Sequence, residues 1–218
     1  MDQKILFLIN GEWTSPKMDL FMAAMSNIDL WIPLFVVLGL WALIFGGFKT
    51  RAALLSIAML VAVGDGIVVG NIKKIVHRPR PHQVMADVRM VSLQNEKPRL
   101  LSLFRPANVH MSQIESGNES GRSFPSAHTV NNFCAAIVLS AFFRRWGWLY
   151  FLPASLVAYS RIYTGSHWPS DVLISIFLSA GISLLVLSLL EWLWRRQAPR
   201  LVPLLCQKHP SLFGTAHV

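Results

Sequence analysis

The chain has 218 residues, 53% of them apolar and only 14% charged, with 20 Lys and Arg against 11 Asp and Glu for a formal net charge of +9. A soluble domain carries about 25% charged residues, so a disordered chain, a coiled coil and a disulfide scaffold are excluded and an ordinary soluble enzyme fits poorly. The basic residues fall in short clusters between long uncharged runs, a pattern for a membrane and not for a nucleic-acid partner. Cys134 and Cys206 sit in or beside apolar stretches at no metal-ligand spacing and read as reduced thiols without a role.

Residues 1–28 place Trp13, Met18, Leu20, Phe21, Met22 and Met25 among polar residues, which predicts an amphipathic segment on the outer membrane surface. Within it, Lys4–Asn10 is too short to span and lacks a cleavage site, so it is not read as a signal peptide. Leu30–Phe48 is uncharged, and Ala52–Ile72 holds one charge, Asp65. Thr129–Phe143, Trp146–Ser160 and Val172–Leu190 are uncharged. A spanning helix needs about 20 apolar residues. The first, second and fifth runs reach that, and the third and fourth are expected to extend into polar ends at the membrane surface. The predicted fold is all-α: a polytopic transmembrane helical bundle of five or six spans over residues 29–200, with a cytoplasmic tail at 201–218. His82–Arg122, rich in Ser, Asn, Glu and Gly, is predicted to be an external loop with some local helix. Lys49 and Arg51, Arg144 and Arg145, and Arg195, Arg196 and Arg200 fall on one side, which the bias of short loops makes the cytoplasm.

Three polar clusters then share the opposite side. They are Lys73 to Pro81, Gly121 to His128, and Ser160 to Asp171. Gathering Lys, several Arg, two His and one Asp on one membrane face is costly unless an anion binds among them. Arg offers a fork of donors to a phosphoryl group, and Lys a point charge.

The residues that carry this pattern are Lys73 with Arg80-Pro81 after six residues, Pro125-Ser126-Ala127-His128, and Ser160-Arg161 with His167 and Asp171. Together they resemble the tripartite signature of the type 2 phosphatidic acid phosphatase superfamily, which includes bacterial membrane lipid phosphatases, glucose-6-phosphatase and vanadium haloperoxidases. Ala127 stands where that signature usually has Gly, a departure that keeps a small residue at the spot.

The chemistry follows from the residue types. Phosphate monoesters hydrolyse extremely slowly without a catalyst, and a covalent intermediate divides the step in two. Neutral imidazole is a competent nucleophile at phosphorus, and His167 is placed for that role, with Asp171 four residues on to orient the ring. The resemblance makes His128 the general acid to the leaving group. Lys73, Arg80 and Arg161 would hold the non-bridging oxygens, and Ser126 with the Ala127 N–H would add a helix N-terminus. Arg78, Arg122 and His77 are secondary candidates for substrate contact. Asp65 reads as a structural partner for a Lys, an Arg or a hydroxyl, and Gly66 with Gly70 as a helix-packing pair.

The resemblance implies an integral membrane enzyme of a bacterial inner membrane, hydrolysing a lipid phosphate or diphosphate at its periplasmic or outer face. Undecaprenyl diphosphate is the first choice; phosphatidylglycerophosphate, phosphatidate and lipid A phosphate are the alternatives. A lipid phosphotransferase is the rival of the same fold, and a non-enzymatic lipid transporter the rival of another class. No cofactor, metal or nucleic acid is expected, because Asp171 is the one carboxylate in the motifs and a two-metal phosphatase needs several. Vanadate is expected to inhibit.

Overall fold

The chain begins, in a computed structural model that describes residues 1–114 and 121–213, with two short helices, α1 (Asp2–Phe7) and α2 (Pro16–Ser26), joined by a π-helical turn. Pro16 sits in the first turn of α2, where its missing N–H costs nothing, and the Ser15 hydroxyl accepts the Met18 N–H at 3.3 Å. These residues do more than rest on a surface. Leu6, Ile9, Met22, Ala23 and Ala24 are buried in the protein's own core.

Asn27 caps α3 (Ile28–Phe45), and Gly46 and Gly47 turn the chain into α4 (Phe48–Val61). That helix widens into a π-helical stretch at Ala62–Val69, which contains Gly64, Asp65 and Gly66, and continues as α5 (Gly70–Val76). His77 ends α5 in the left-handed region, at φ 48°. A four-residue helix, α6 (Pro81–Val84), follows. The predicted 82–122 loop then proves to contain an antiparallel strand pair, β1 (Arg89–Ser92) and β2 (Asn108–Met111), with Arg89 opposite Met111. The polar composition of this region hid the pair. Residues 115–120 of that loop and 214–218 of the tail lie outside the described residues.

Beyond the hairpin come α7 (Ala127–Phe142), α8 (Phe151–Tyr163), α9 (Pro169–Leu201) and α10 (Pro203–Lys208). Three stretches are long and apolar enough to cross a membrane: Ile28–Phe45, Phe48–Val84 and Pro169–Leu201. α7 has 16 residues and α8 has 13. At about 1.5 Å per residue both fall short of a hydrocarbon core about 30 Å thick. The five or six predicted spans therefore resolve, among the described residues, into three long apolar elements and two shorter helices between them.

α7 is the axis of the bundle. Its Val130, Cys134, Val138 and Phe142 pack with Ala53 and Leu60 of α4, Val69, and Ile182 and Leu187 of α9. Cys134 is buried with its thiol against the Ser179 carbonyl, which agrees with a thiol that only packs. Buried Ser175, Ser179 and Ser183 let α9 approach closely. α3 lies at the edge, since only 6% of its apolar window is buried against 28% and 33% for the other two.

The two ends of the bundle differ in chemistry. At one end Phe48 stacks against His209 (ring centroids 4.5 Å) and meets Trp194 (4.9 Å), while Phe142 meets Phe213 (4.9 Å). This collects the start of α4 and the ends of α7 and α9, the elements that carry the three short basic clusters. At the other end Asp19 takes a two-pronged ion pair from Arg89 (2.8 and 2.9 Å) and a bond from the Tyr163 hydroxyl (2.7 Å). Asn10 donates to the carbonyls of Arg89 and Tyr163. Gly165, at φ 69°, permits the close contact there, because a Cβ would stand 2.7 Å from the Arg89 carbonyl oxygen. The Arg89 and Asp19 side chains are 13% and 8% exposed. Asp19→Ala would leave a buried guanidinium unpaired, at a cost of about 3–5 kcal/mol. Thermal melting in detergent should show a Tm lower by roughly 10 °C; an unchanged Tm would show that the pair does not hold this end together.

Candidate active site

The three motif segments converge at the end marked by Asp19 and Arg89, and backbone bonds fix them there. The Ser123 N–H donates to the Arg78 carbonyl at 2.9 Å, which joins the second segment to the first. The Trp168 indole N–H donates to the Pro79 carbonyl at 2.9 Å, which joins the third to the first. Gly121 makes the crossing possible: a Cβ there would stand 2.0 Å from the Pro79 Cα. The third segment turns on Arg161, whose carbonyl accepts the N–H groups of Ser166 (3.1 Å) and His167 (3.0 Å). That turn places His167 between the end of α8 and the start of α9.

Pro169 opens α9, and Asp171 lies in its first turn, as the spacing predicts. The Asp171 side chain is fully buried. Its Oδ2 accepts the Ser123 hydroxyl at 2.5 Å and the Trp168 N–H at 3.2 Å, and its Oδ1 accepts Arg78 at 2.5 Å. Direct orientation of His167 by Asp171 is the expectation from spacing, and the geometry is different. Nδ1 of His167 is 3.8 Å from Oδ2 of Asp171, beyond hydrogen-bond reach, and 3.5 Å from the Ser123 hydroxyl oxygen. The Ser123 hydroxyl has one proton, and it goes to Asp171. Its oxygen can therefore only accept from His167, which puts the ring proton on Nδ1 and leaves the lone pair on Nε2. A Ser123 relay thus stands where the sequence suggests a direct contact.

Burial pushes His167 below the usual histidine range, to about 4, with Arg161 and Arg80 acting in the same sense and Asp171 opposing. The ring is then neutral, the form a nucleophile needs. The charges that act on His128 are those of Arg161, His167, Lys73 and Arg80, and those that act on Lys73 include Arg80, Asp65, Arg161 and Arg122. The cations Lys73, Arg80, Arg122 and Arg161 therefore gather with the imidazoles of His128 and His167 in one cluster. The Arg161 guanidinium donates to the Ser26 carbonyl and hydroxyl, and its Nε is buried without a partner among the described residues. A buried donor of that kind is costly unless an anion meets it.

The remaining candidates separate. Ser126 precedes α7, but its N–H is taken by the Ser175 hydroxyl (2.9 Å) and its oxygen by Thr129 (3.0 Å); Ala127 opens the helix beside it. Arg78 pairs with Asp171 and Asp2, so its charge is engaged within the protein. His77 is exposed at the end of α5. Asp65 accepts the Asn131 amide at 3.5 Å, and its charge acts on Lys73, one of the partners anticipated. Ser123, Ser170 and Asp2 are the site residues that sequence reasoning missed. Ser123 stands three residues before Ser126, but nothing in the sequence links it to Asp171. Asp2 is separated from the motifs by most of the N-terminal half.

The family described as the PAP2 superfamily matches residues 50–195. A lipid A 4'-phosphatase of Bacteroides thetaiotaomicron is 27% identical over 177 residues, 79% of this chain and 69% of that protein. An undecaprenyl-diphosphatase of Sulfolobus acidocaldarius is 28% identical over 166 residues, 76% of this chain and 66% of that protein. The chain thus spans about two thirds of the length of these curated relatives. The crystal structure of Aquifex aeolicus LpxE superposes with a TM-score of 0.59 at 27% identity, covering 86% of this chain and 94% of that one.

Two outcomes follow from the relay. Ser123→Ala removes the oxygen between His167 and Asp171 and should lower kcat about ten- to a hundredfold, with KM within about twofold, because it acts on the orientation of a catalytic group and not on binding. Wild-type kcat would refute the relay. An NMR titration of ¹⁵N-histidine-labelled protein should show His167 neutral from pH 7 down to pH 5, since its midpoint lies near 4; a midpoint near 6.5, the value of an unperturbed imidazole, would contradict the burial of the ring.

Proposed function

The chain belongs to the PAP2 superfamily and is a phosphatase, and we propose that it hydrolyses a lipid phosphate or diphosphate at the outer face of a membrane, with undecaprenyl diphosphate as first substrate. One observation carries the lipid reading. An apolar groove of about 280 Å³ lies among α3, α7 and α8, walled by Ile28, Trp31, Phe35, Tyr150 and Val157, and His128 stands in its lining. A hydrocarbon chain in this groove brings its phosphorylated end to the general acid. A larger apolar cavity of about 760 Å³, between Phe48 and Trp194 at the opposite end, is lined by no motif residue. The second reading is a lipid A phosphatase, favoured by the Bacteroides relative that aligns with 79% of the chain.

In this mechanism Nε2 of His167 attacks phosphorus and the bond to the leaving oxygen breaks. His128, which takes up a proton as the substrate dianion offsets the cations around it, gives that proton to the leaving oxygen, so undecaprenyl phosphate departs from the diphosphate. His128, now neutral, takes a proton from water, whose oxygen attacks the phosphohistidine, and inorganic phosphate and His167 are released. Lys73, Arg80 and Arg161 neutralise the non-bridging oxygens throughout. No metal is needed in this scheme. The site's donors are cations and imidazoles, and its carboxylates are committed, Asp171 to Arg78, Ser123 and the Trp168 N–H, and Asp2 to Arg78 and Ser170. The outward orientation is supported by the aromatic end opposite the site, which collects the elements bearing Lys49 and Arg51, Arg144 and Arg145, and Arg195, Arg196 and Arg200. A bacterial inner membrane with the site facing the periplasm fits that arrangement.

The test is phosphate release from undecaprenyl diphosphate, phosphatidylglycerophosphate, phosphatidate and lipid A by purified protein in detergent, with EDTA and with vanadate. Undecaprenyl diphosphate should give the highest kcat/KM, EDTA should leave the rate unchanged, and vanadate should inhibit. Loss of activity in EDTA restored by magnesium would overturn the mechanism. Highest kcat/KM on lipid A would select the second reading, and phospholipid product without free phosphate would reveal a phosphotransferase.

A further inference from the structure

Arg78 divides its two terminal guanidinium nitrogens between two carboxylates from distant parts of the chain and the Ser170 hydroxyl. Its Nη1 donates to Asp171 (2.5 Å) and to the Ser170 hydroxyl (2.8 Å), and its Nη2 donates to Asp2 in α1 (2.7 Å). Asp2 also accepts the Ser170 N–H (2.9 Å) and hydroxyl (2.5 Å), so it caps the N-terminus of α9 two residues from its start. The guanidinium lies 5.5 Å from the centre of the Trp168 ring, which covers one face. Side-chain exposures are 26% for Asp2, 31% for Arg78 and nil for Asp171.

A long arginine side chain in a loop beside a phosphate site has a competing choice. It can turn to the substrate dianion, for which its fork is well suited. If it did, Asp171 would lose its cation and the Ser123 relay its anchor. Asp2 removes that choice by holding the second edge of the fork. Partial burial would raise the Asp2 carboxyl, but the Ser170 hydroxyl and N–H and the Arg78 guanidinium outweigh it and hold the group below the usual carboxylate value. Asp2 is therefore ionised wherever the enzyme works.

On the reading of His167 as nucleophile, we propose that Asp2 and Arg78 are positioning residues: Asp2 fixes Arg78 against Asp171, and this carboxylate holds His167 through Ser123. The first turn of the chain is then part of the catalytic apparatus, although it lies outside every motif and outside residues 50–195. The groups facing His167 from the packed elements are Arg161 of α8, Arg80 of the segment before α6, Asp171 of α9 and His128 of α7.

The experiment uses the full chain in detergent as Asp2→Asn, Asp2→Glu, Arg78→Met and the Asp2→Asn/Arg78→Met double variant. Arg78→Met should lower kcat about ten- to a hundredfold, and Asp2→Asn about fivefold, with KM within about twofold in both. Asp2→Glu should recover most of the rate. The double variant should be no slower than Arg78→Met alone, because Asp2 acts through Arg78. The second readout is the NMR titration of His167. Removing Arg78 leaves the Asp171 charge uncompensated, which favours imidazolium, so the midpoint should rise from about 4. Wild-type kcat in Asp2→Asn, effects that multiply in the double variant, or an unmoved His167 midpoint in Arg78→Met would each overturn the proposal. Absence of turnover in wild type, or its persistence in His167→Ala, would instead count against the nucleophile assignment, and the titration would still decide whether Arg78 acts on His167.

Discussion

One buried carboxylate organises this site. Asp171 is fully enclosed, and an ionised carboxylate in that position is tolerable only with partners. Its partners come from all three polar segments: Arg78 from the first, the Ser123 hydroxyl from the second, and the Trp168 N–H from its own. Meeting the demands of Asp171 therefore forces the ends of α5, α7 and α9 into one place. The backbone bonds of Ser123 to Arg78 and of Trp168 to Pro79 make the same junction from the other side. Packing along α7 brings the helices together, but the register of their ends is set by this charge.

The cations tell the complementary half. Asp171 and Arg78 balance each other, with Asp2 beyond them, whereas the charges that act on Lys73 are those of Arg80, Arg161 and Arg122 against that of Asp65. Mutual repulsion there disfavours the empty site, and the buried Arg161 Nε adds a donor without an acceptor. A dianion removes both costs, and more fully as charge gathers on the non-bridging oxygens in the transition state. Burial, with Arg161 and Arg80 acting in the same sense, keeps His167 unprotonated. On the proposed mechanism, the cations that would bind phosphate thus also help to ready the nucleophile.

The three motif segments were legible because each is contiguous: a short run of fixed residue types at a helix end suggests its own chemistry. Lys73, Arg80, His128, Arg161, His167 and Asp171 are brought together in the structure from such runs. The long apolar helices were legible for the same local reason. What was hidden depends on contacts across the chain. Ser123 is an ordinary serine until Asp171 lies beside it, 48 residues away. Asp2 is 76 residues from Arg78. Residues 1–28 look like a surface segment because their apolar positions are scattered, and the partners that bury them, on α8 and β1, are remote in sequence. The shortness of α7 and α8 was masked by apolar residues that run into their flanking turns, and the hairpin by a polar composition common to loops and solvated strands.

The account stands on a covalent bond between phosphorus and one imidazole nitrogen. Rapid acid-free quenching of the wild-type enzyme during turnover of a ³²P-labelled lipid phosphate, followed by alkaline proteolysis and mass spectrometry, tests it most directly. The account predicts a single phosphorylated peptide, stable to base and labile to acid, with the phosphoryl group on His167 and no label in His167→Ala. Label on His128, on a serine or on Asp171, or turnover with no labelled peptide under conditions that trap other phosphohistidines, would contradict it.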